Sequence, residues 1–101
     1  MDVTRMVTET VFEARLSNNL TFSDDNSFRK LLDEMVASPT TNWVFDLSKL
    51  LSVDSAGLGM FIVAQHTAKK AGRKLALRSP AGHVKNLLQL SKMDKLITIQ
   101  D

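Results

Sequence analysis

The residues best suited to chemistry lie in one short stretch, residues 54–59, which reads Asp-Ser-Ala-Gly-Leu-Gly. A serine at a helix entrance can cap the helix, because its hydroxyl accepts a bond from a free N–H of the first turn. Gly57 and Gly59 keep that entrance free of bulk. We therefore predict that Ser55 is the N-cap of a helix. The spacing by itself leaves open whether capping is its only role.

Ser55 could instead be a catalytic nucleophile, which needs a base within hydrogen-bond reach. His66 follows 11 residues later on the same predicted helix, about 16 Å away along the axis. A nucleophile elbow has the pattern Gly-x-Ser-x-Gly, and Val53 stands where its first glycine belongs. His83 could approach Ser55 in three dimensions, but the missing elbow argues against catalysis. We therefore expect no enzyme activity and no catalytic residue.

The composition also argues against a metal or cofactor site. The chain has no cysteine, which excludes disulfides and cysteine-based zinc or iron–sulfur centres. Its two histidines, His66 and His83, have no ligand spacing. We expect no metal and no cofactor.

Charge is distributed unevenly along the chain. Residues 1–50 carry five basic and eight acidic side chains, whereas residues 51–101 carry eight basic and three acidic ones. The basic residues could bind nucleic acid, yet no aromatic residue follows Phe61 to stack on bases. We expect a solvated basic edge and no nucleic-acid partner. The residues that could form a basic surface are Lys69, Lys70, Arg73, Lys74, Arg78 and Lys85.

Length and hydropathy predict one small globular domain over residues 1–101. A chain of 101 residues with 44% apolar and 24% charged side chains has room for one core. Its longest apolar run, residues 60–64, is far shorter than the ~18 residues that span a bilayer. The first residues lack the apolar stretch of a signal peptide. We expect a cytoplasmic protein with no membrane partner.

The elements that must position residues 54–59 follow from hydrophobic periodicity. Residues 3–16 predict two short strands that turn near Glu9, and Ser17 to Asn19 predict a loop. A first helix is expected over residues 24–37, ended by Ser38 and Pro39. Residues 43–47 are apolar almost without alternation, which predicts an interior strand covered on both faces.

The second half continues the alternation of helix and strand. A second helix is expected from Ser55 to just before Gly72, then a strand over residues 74–77. A third helix is expected to begin at Pro80, and a last strand covers residues 96–99. Alternation of this kind predicts an α/β domain with a mixed central sheet of four to five strands and about three helices. We expect Trp43, Met35 and Met60 to pack in the core.

A helical wheel divides the second helix into two faces. The predicted core face holds Met60, Phe61, Ala64, Ala68 and Ala71. The opposite face holds Ser55, Gly59, Ile62, His66, Lys69 and Lys70. An isoleucine beside a glycine and a histidine is unusual on a solvent face, which favours a docking surface.

With these elements in place, the segment Asp54-Ser55-Ala56-Gly57-Leu58-Gly59 after Asp46-Leu47-Ser48 resembles the signature of STAS-domain anti-sigma factor antagonists. The resemblance covers nearly the whole chain. Its other parts are Leu16 to Leu20 before the first helix, Pro80 at the third helix, and Leu90-Ser91-Lys92-Met93 before the last strand.

The resemblance implies a partner-switching protein that is monomeric when free. In such a protein a serine-kinase anti-sigma factor phosphorylates the serine after the aspartate, and a PPM-type phosphatase removes the phosphate. The unphosphorylated form binds the kinase and the phosphorylated form releases it. Ser55 is then the phosphorylation site. The expected partner-binding residues are Asp54, Ala56, Gly57, Leu58, Gly59, Ile62, His66, Asn19 and Thr21.

The chain departs from the family pattern at the loop after the second strand. Asn18, Asn19 and Thr21 stand where a glycine and an acid-rich turn are usual. The family also leaves an alternative open, since STAS-like domains serve as regulatory subunits of transporters or of signalling assemblies without a sigma factor.

Overall fold

The computed structural model describes all 101 residues. Five strands and three helices alternate along the chain after an initial hairpin, with two 3₁₀ turns, Phe22–Asp24 and Met93–Lys95. The elements are β1 Asp2–Val7, β2 Val11–Leu20, α1 Asp25–Ala37, β3 Asn42–Val53, α2 Ser55–Lys70, β4 Lys74–Arg78, α3 Gly82–Leu90 and β5 Thr98–Gln100.

The strands form one sheet in the order β1-β2-β3-β4-β5. β1 and β2 form an antiparallel hairpin, and every later pair is parallel. Each parallel connection after β2 passes through a helix, as parallel neighbours require. The predicted mixed α/β sheet is confirmed, and so are the predicted first and second helices.

The core lies between the three helices and one face of the sheet. One cluster of 23 buried residues takes members from α1, α2 and α3 and from residues of β2, β3 and β4 that mostly alternate along each strand, with Leu50 breaking the alternation of β3. At its centre Phe28 of α1, Phe45 of β3 and Phe61 of α2 stand with ring centroids 5.4 to 6.3 Å apart. Trp43, Met35 and Met60 are buried as predicted.

The expectation that β3 is covered on both faces is wrong. Trp43, Phe45 and Leu47 enter the core, but the intervening Asp46 belongs to a charged network on the opposite face. There Arg78 binds Asp46 at 3.2 Å and also Glu13, while Arg15 approaches Asp46 at 3.5 Å. Ion pairs with partly exposed arginines accommodate the buried Asp46 carboxylate on this face without a second helical layer.

The loop predicted at Ser17 to Asn19 is also wrong, because β2 continues to Leu20 and pairs with β3 through Val53. The register shifts twice in this part of the pairing, and Asn18 adopts a left-handed φ of 68°. Asparagine tolerates that conformation, so a bulge can absorb polar residues inside a paired strand.

Two boundaries in the second half differ from prediction. Pro80 precedes the third helix, which begins at Gly82 after the N-cap residue Ala81. The last strand begins at Thr98 and not at Leu96, because Ile97 turns into the core after the 3₁₀ turn Met93–Lys95. No helix in the structure combines the length and the apolar character needed to cross a membrane.

Candidate functional site

The start of α2 is capped by Asp54, so the prediction that Ser55 is the N-cap is wrong. Asp54 has an extended backbone, and its Oδ1 accepts the N–H of Gly57 at 2.7 Å. A carboxylate placed here also interacts favourably with the positive end of the helix dipole. Ser55 becomes the first residue of the helix.

Asp54 also joins the helix to the end of β2. Its Oδ2 accepts the N–H of Phe22 at 3.2 Å, and its own N–H donates to the carbonyl of Leu20 at 3.2 Å. One residue therefore holds three backbone segments together: the end of β2, the 3₁₀ turn Phe22–Asp24 and the start of α2. This clamp fixes the position of Ser55.

Ser55 is exposed, and its hydroxyl takes no part in the capping bonds. The N–H groups of Gly57 and Leu58 already bind Asp54, while those of the first two helical residues have no partner within the helix. A hydroxyl at this position is open to an incoming group, and the helix start favours added negative charge.

The two glycines after Ser55 have different surroundings. A Cβ on Gly57 would lie 2.7 Å from the carbonyl oxygen of Leu20 and 2.7 Å from Cγ1 of Val53. Gly57 therefore allows the helix start to pack directly on the sheet. A Cβ on Gly59 would meet no atom within 4 Å, so Gly59 leaves open surface beside the serine.

The structure brings most of the predicted partner-binding residues to one region around the start and the outer face of α2. Asp54, Ile62, His66 and Asn19 are exposed, while Ala56, Gly59 and Thr21 are partly exposed. Gly57 is buried and Leu58 packs against the core, so these two support the surface from beneath.

The residues from the end of β2 reach this region through their own hydrogen bonds. Asn19 Oδ1 accepts the Ser52 hydroxyl at 2.5 Å, which links β2 to β3 just before Asp54. The Thr21 N–H donates to Asp24 Oδ2 at 2.9 Å and closes a capping box over the 3₁₀ turn. Hydrogen bonds therefore hold both residues in place beside the start of α2.

Sequence reasoning missed Phe22, which is 76% exposed beside the clamp. It lines a groove of about 290 Å³ between α1 and α2, together with Asp25, Phe28, Arg29, Ala56, Gly59, Met60 and Val63. An apolar residue just before a predicted helix is usually read as packing against that helix. The polar neighbours Thr21 and Ser23 are the one signal that could have placed Phe22 outside.

Two of the predicted basic surface residues have internal partners. The guanidinium of Arg73 donates to the carbonyls of Met35, Val36, Ser38 and Thr40 at 2.7 to 3.3 Å, which closes the end of α1. It also lies 5.7 Å from the ring centroid of Trp43. Arg78 is bound to Glu13 and Asp46 on the open face of the sheet.

The ionised form of the Asp46 carboxyl group is stabilised by several neighbours. Burial alone would raise the pKa of its carboxyl group. Hydrogen bonds from Ser48 and Arg78 and the nearby charge of Arg15 outweigh burial, so the pKa lies below its ordinary value of 3.8. This network lies on the sheet face opposite the helices, whereas Ser55 lies at the start of α2.

A mixed sheet with its three helices packed on one face, and an exposed serine opening the second helix, define a small α/β domain of the SpoIIAA-like type. The family model described as "Mlab, STAS domain" matches residues 8–98. The chain therefore belongs to the STAS domain family, as the sequence resemblance predicted.

Solved structures share this fold. A Thermotoga maritima protein described as an anti-sigma factor antagonist, TM1081, superposes with a TM-score of 0.87 at 24% identity, covering 98% of this chain and 86% of that one. The anti-sigma factor antagonist SpoIIAA in its unphosphorylated form gives 0.75 at 17% identity, with coverage of 99% and 88%. Phosphorylated SpoIIAA from Bacillus gives 0.73 at 17% identity, with coverage of 97% and 90%.

Proposed function

We propose that this chain is an anti-sigma factor antagonist that switches partners through Ser55. Unphosphorylated, it binds a serine-kinase anti-sigma factor. Phosphorylation of Ser55 releases that partner, and a PPM-type phosphatase restores the binding form. The observation that carries the proposal is the exposed hydroxyl of Ser55 at the first residue of α2, beside a cap that Asp54 supplies.

The solved relatives support the same role. Both TM1081 and SpoIIAA are described as anti-sigma factor antagonists, and SpoIIAA is described in unphosphorylated and phosphorylated forms. Ser55 directly follows the capping aspartate in the segment on which the family resemblance rests.

The geometry favours release by local repulsion and blocking. A phosphate on Ser55 adds about −1.5 to −2 charge at pH 7, next to the carboxylate of Asp54. It also places bulk in front of the open surface at Gly59. Asp54, and not Ser55, holds the cap, so the modified serine leaves the bonds of the clamp in place.

Backbone NMR of the wild type, of Ser55→Asp and of the phosphorylated protein tests this mechanism. Shift changes confined to residues 54–60 and to the 3₁₀ turn Phe22–Asp24 are expected. Changes spread through β2, β3 and β4 would show that phosphorylation remodels the fold, and the local mechanism would be wrong.

Affinity capture from the source cell tests the function itself. Wild type and Ser55→Ala are expected to recover a serine kinase that also binds a sigma factor, and Ser55→Asp is expected to lose it. Recovery of a transporter ATPase by all three variants would contradict the proposal and assign the chain to a transporter as a regulatory subunit.

A further inference from the structure

The outer face of α2 leads from Ser55 to a positively charged hollow that the switch at Ser55 does not explain. This hollow, the cationic hollow, has a volume of about 310 Å³ and lies where the end of α2 meets β4 and β5. Its lining residues are Gln65, Lys69, Arg73, Lys74, Leu75 and Thr98.

The charges of the cationic hollow are not neutralised by acidic neighbours. Neither Lys69 nor Lys74 belongs to any of the ion pairs in the structure, and both are exposed. Arg73 contributes a third positive charge, although its N–H groups already donate to carbonyls at the end of α1. The hollow therefore presents uncompensated positive charge.

A second, apolar depression adjoins the cationic hollow and shares Gln65 and Lys69 with it. This apolar seat, of about 190 Å³, is lined by Ile62, Gln65, His66, Lys69 and Leu96. Ile62 is 46% exposed and Leu96 is 54% exposed. The Gln65 side chain donates to the Leu96 carbonyl at 2.9 Å, which fixes one wall of the seat against α2.

We propose that the apolar seat and the cationic hollow together bind an acidic segment of a protein partner. One apolar side chain of that segment lies between Ile62 and Leu96, and carboxylates beside it face Lys69 and Lys74. The charge of the hollow selects the acidic residues, and the adjoining apolar surface selects a polypeptide. A nucleic-acid backbone would use the positive charge but leave the apolar seat empty. No aromatic side chain lines either depression, and Trp43 beneath Arg73 is fully buried, so none is available to stack on a base.

For its partner this inference rests on the proposed function, because the segment would belong to the anti-sigma factor. Binding of the acidic segment can nevertheless be measured independently of the state of Ser55. Ser55 and Lys69 are 14 residues apart on one helix, about 21 Å along the axis, while charges are screened over about 8 Å at physiological salt. The effects of substitutions at Ser55 and at Lys69 on the free energy of partner binding should therefore be additive.

A peptide titration followed by ¹⁵N NMR at low salt tests the proposal. The probe is a blocked ten-residue peptide with two central leucines flanked by four glutamates, and the matched control peptide carries glutamine in place of glutamate. The acidic peptide is expected to shift the amides of Gln65, Lys69, Leu96 and Thr98 and to bind at least about fivefold more tightly than the control. Equal binding of the two peptides, or shifts at another surface, would overturn the proposal.

Protein variants locate the charge effect. The double variant Lys69→Glu/Lys74→Glu is expected to weaken acidic-peptide binding by about tenfold or more. The control Lys30→Glu/Lys49→Glu changes the net charge equally at exposed positions elsewhere and is expected to stay within about threefold of wild type. If both double variants lose the same affinity for the acidic peptide, the effect comes from overall charge, and the proposal of a specific binding site at the hollow is contradicted.

Two further measurements separate the competing outcomes. The first is a titration with a single-stranded oligonucleotide of 12 nucleotides. If it shifts the same amides and binds more tightly than the acidic peptide, the hollow is a nucleic-acid site and the proposal is overturned. Ser55→Asp is expected to bind the acidic peptide within twofold of wild type. If Ser55 then fails to control the cellular partner, the proposed function is wrong while the peptide result still stands.

Discussion

Asp54 Oδ2 accepts the backbone N–H of Phe22 at 3.2 Å while its Oδ1 caps Gly57 at 2.7 Å. One carboxylate thus ties the 3₁₀ turn Phe22–Asp24 to the start of α2, and the residue after Asp54 is the exposed serine. The same carboxylate binds the backbone of Phe22, whose side chain is largely exposed. The clamp therefore sets the relative position of Ser55 and Phe22.

Removing the clamp should loosen this end of the domain. Asp54→Ala is expected to lower the free energy of unfolding by about 1–2 kcal/mol, because the helix loses its cap and the Phe22 N–H loses its acceptor. Urea denaturation measures the change. The exposed Asp33→Ala on α1 is the control, expected within about 0.5 kcal/mol of wild type. Equal stability of Asp54→Ala and wild type would contradict the clamp.

The two glycines that follow Ser55, Gly57 and Gly59, should respond differently to the same substitution. Gly57→Ala places a Cβ 2.7 Å from the Leu20 carbonyl and is expected to cost about 1–3 kcal/mol of stability. Gly59→Ala meets open space and is expected to be neutral or to stabilise the helix by up to about 1 kcal/mol. Thermal and urea unfolding of the pair give the comparison. Similar losses in both would show that the two sites are packed alike.

The elements and site residues that could be predicted from the sequence are those that local interactions determine. Hydrophobic spacing placed α1, α2 and β4 to within a residue or two, because each buries a continuous apolar stripe. The sequence correctly placed Ser55 at the start of α2 but assigned the cap to the wrong residue, since Asp and Ser are both good caps and only the backbone angles decide between them.

What the sequence could not predict depends on contacts between distant residues. Asn18 and Asn19 belong to a strand because β3 supplies the partner groups. Asp46 is buried because Arg78, 32 residues away, pairs with it. The exposed Phe22 has its backbone N–H bound by Asp54, 32 residues away. Short-range sequence patterns do not reveal any of these long-range contacts.

Arg73 should act as a brace and not only as a surface charge. Arg73→Met is expected to cost about 1–3 kcal/mol, because four carbonyls near the end of α1 lose a charged donor. Arg73→Lys should recover only part of the loss, since an ammonium cannot reproduce the planar fork. Chemical denaturation checks this, with Lys70→Met as the exposed control. An unchanged unfolding midpoint in Arg73→Met would contradict the bracing role.

The Asp46 network should make stability depend on acid. Because the folded state lowers the pKa of Asp46 below its unfolded value of 3.8, the ionised carboxylate stabilises the fold above that value. This stability is lost as the pH falls from about 3.8 through the lowered pKa. Urea midpoints between pH 7 and pH 2 should therefore fall less steeply in Asp46→Asn than in wild type. If the urea midpoints of the two proteins fall equally steeply with pH, Asp46 does not contribute to the acid dependence of stability.

The central claim is that the phosphorylation state of Ser55 decides whether the partner stays bound. The direct measurement is the affinity of the captured serine kinase for unphosphorylated protein, for protein phosphorylated at Ser55, and for Ser55→Ala, by calorimetry at physiological salt. We predict that Ser55→Ala binds within about twofold of the unphosphorylated wild type and that phosphorylation weakens binding by at least about tenfold, or 1.4 kcal/mol. Equal affinity of the phosphorylated and unphosphorylated forms would contradict the account.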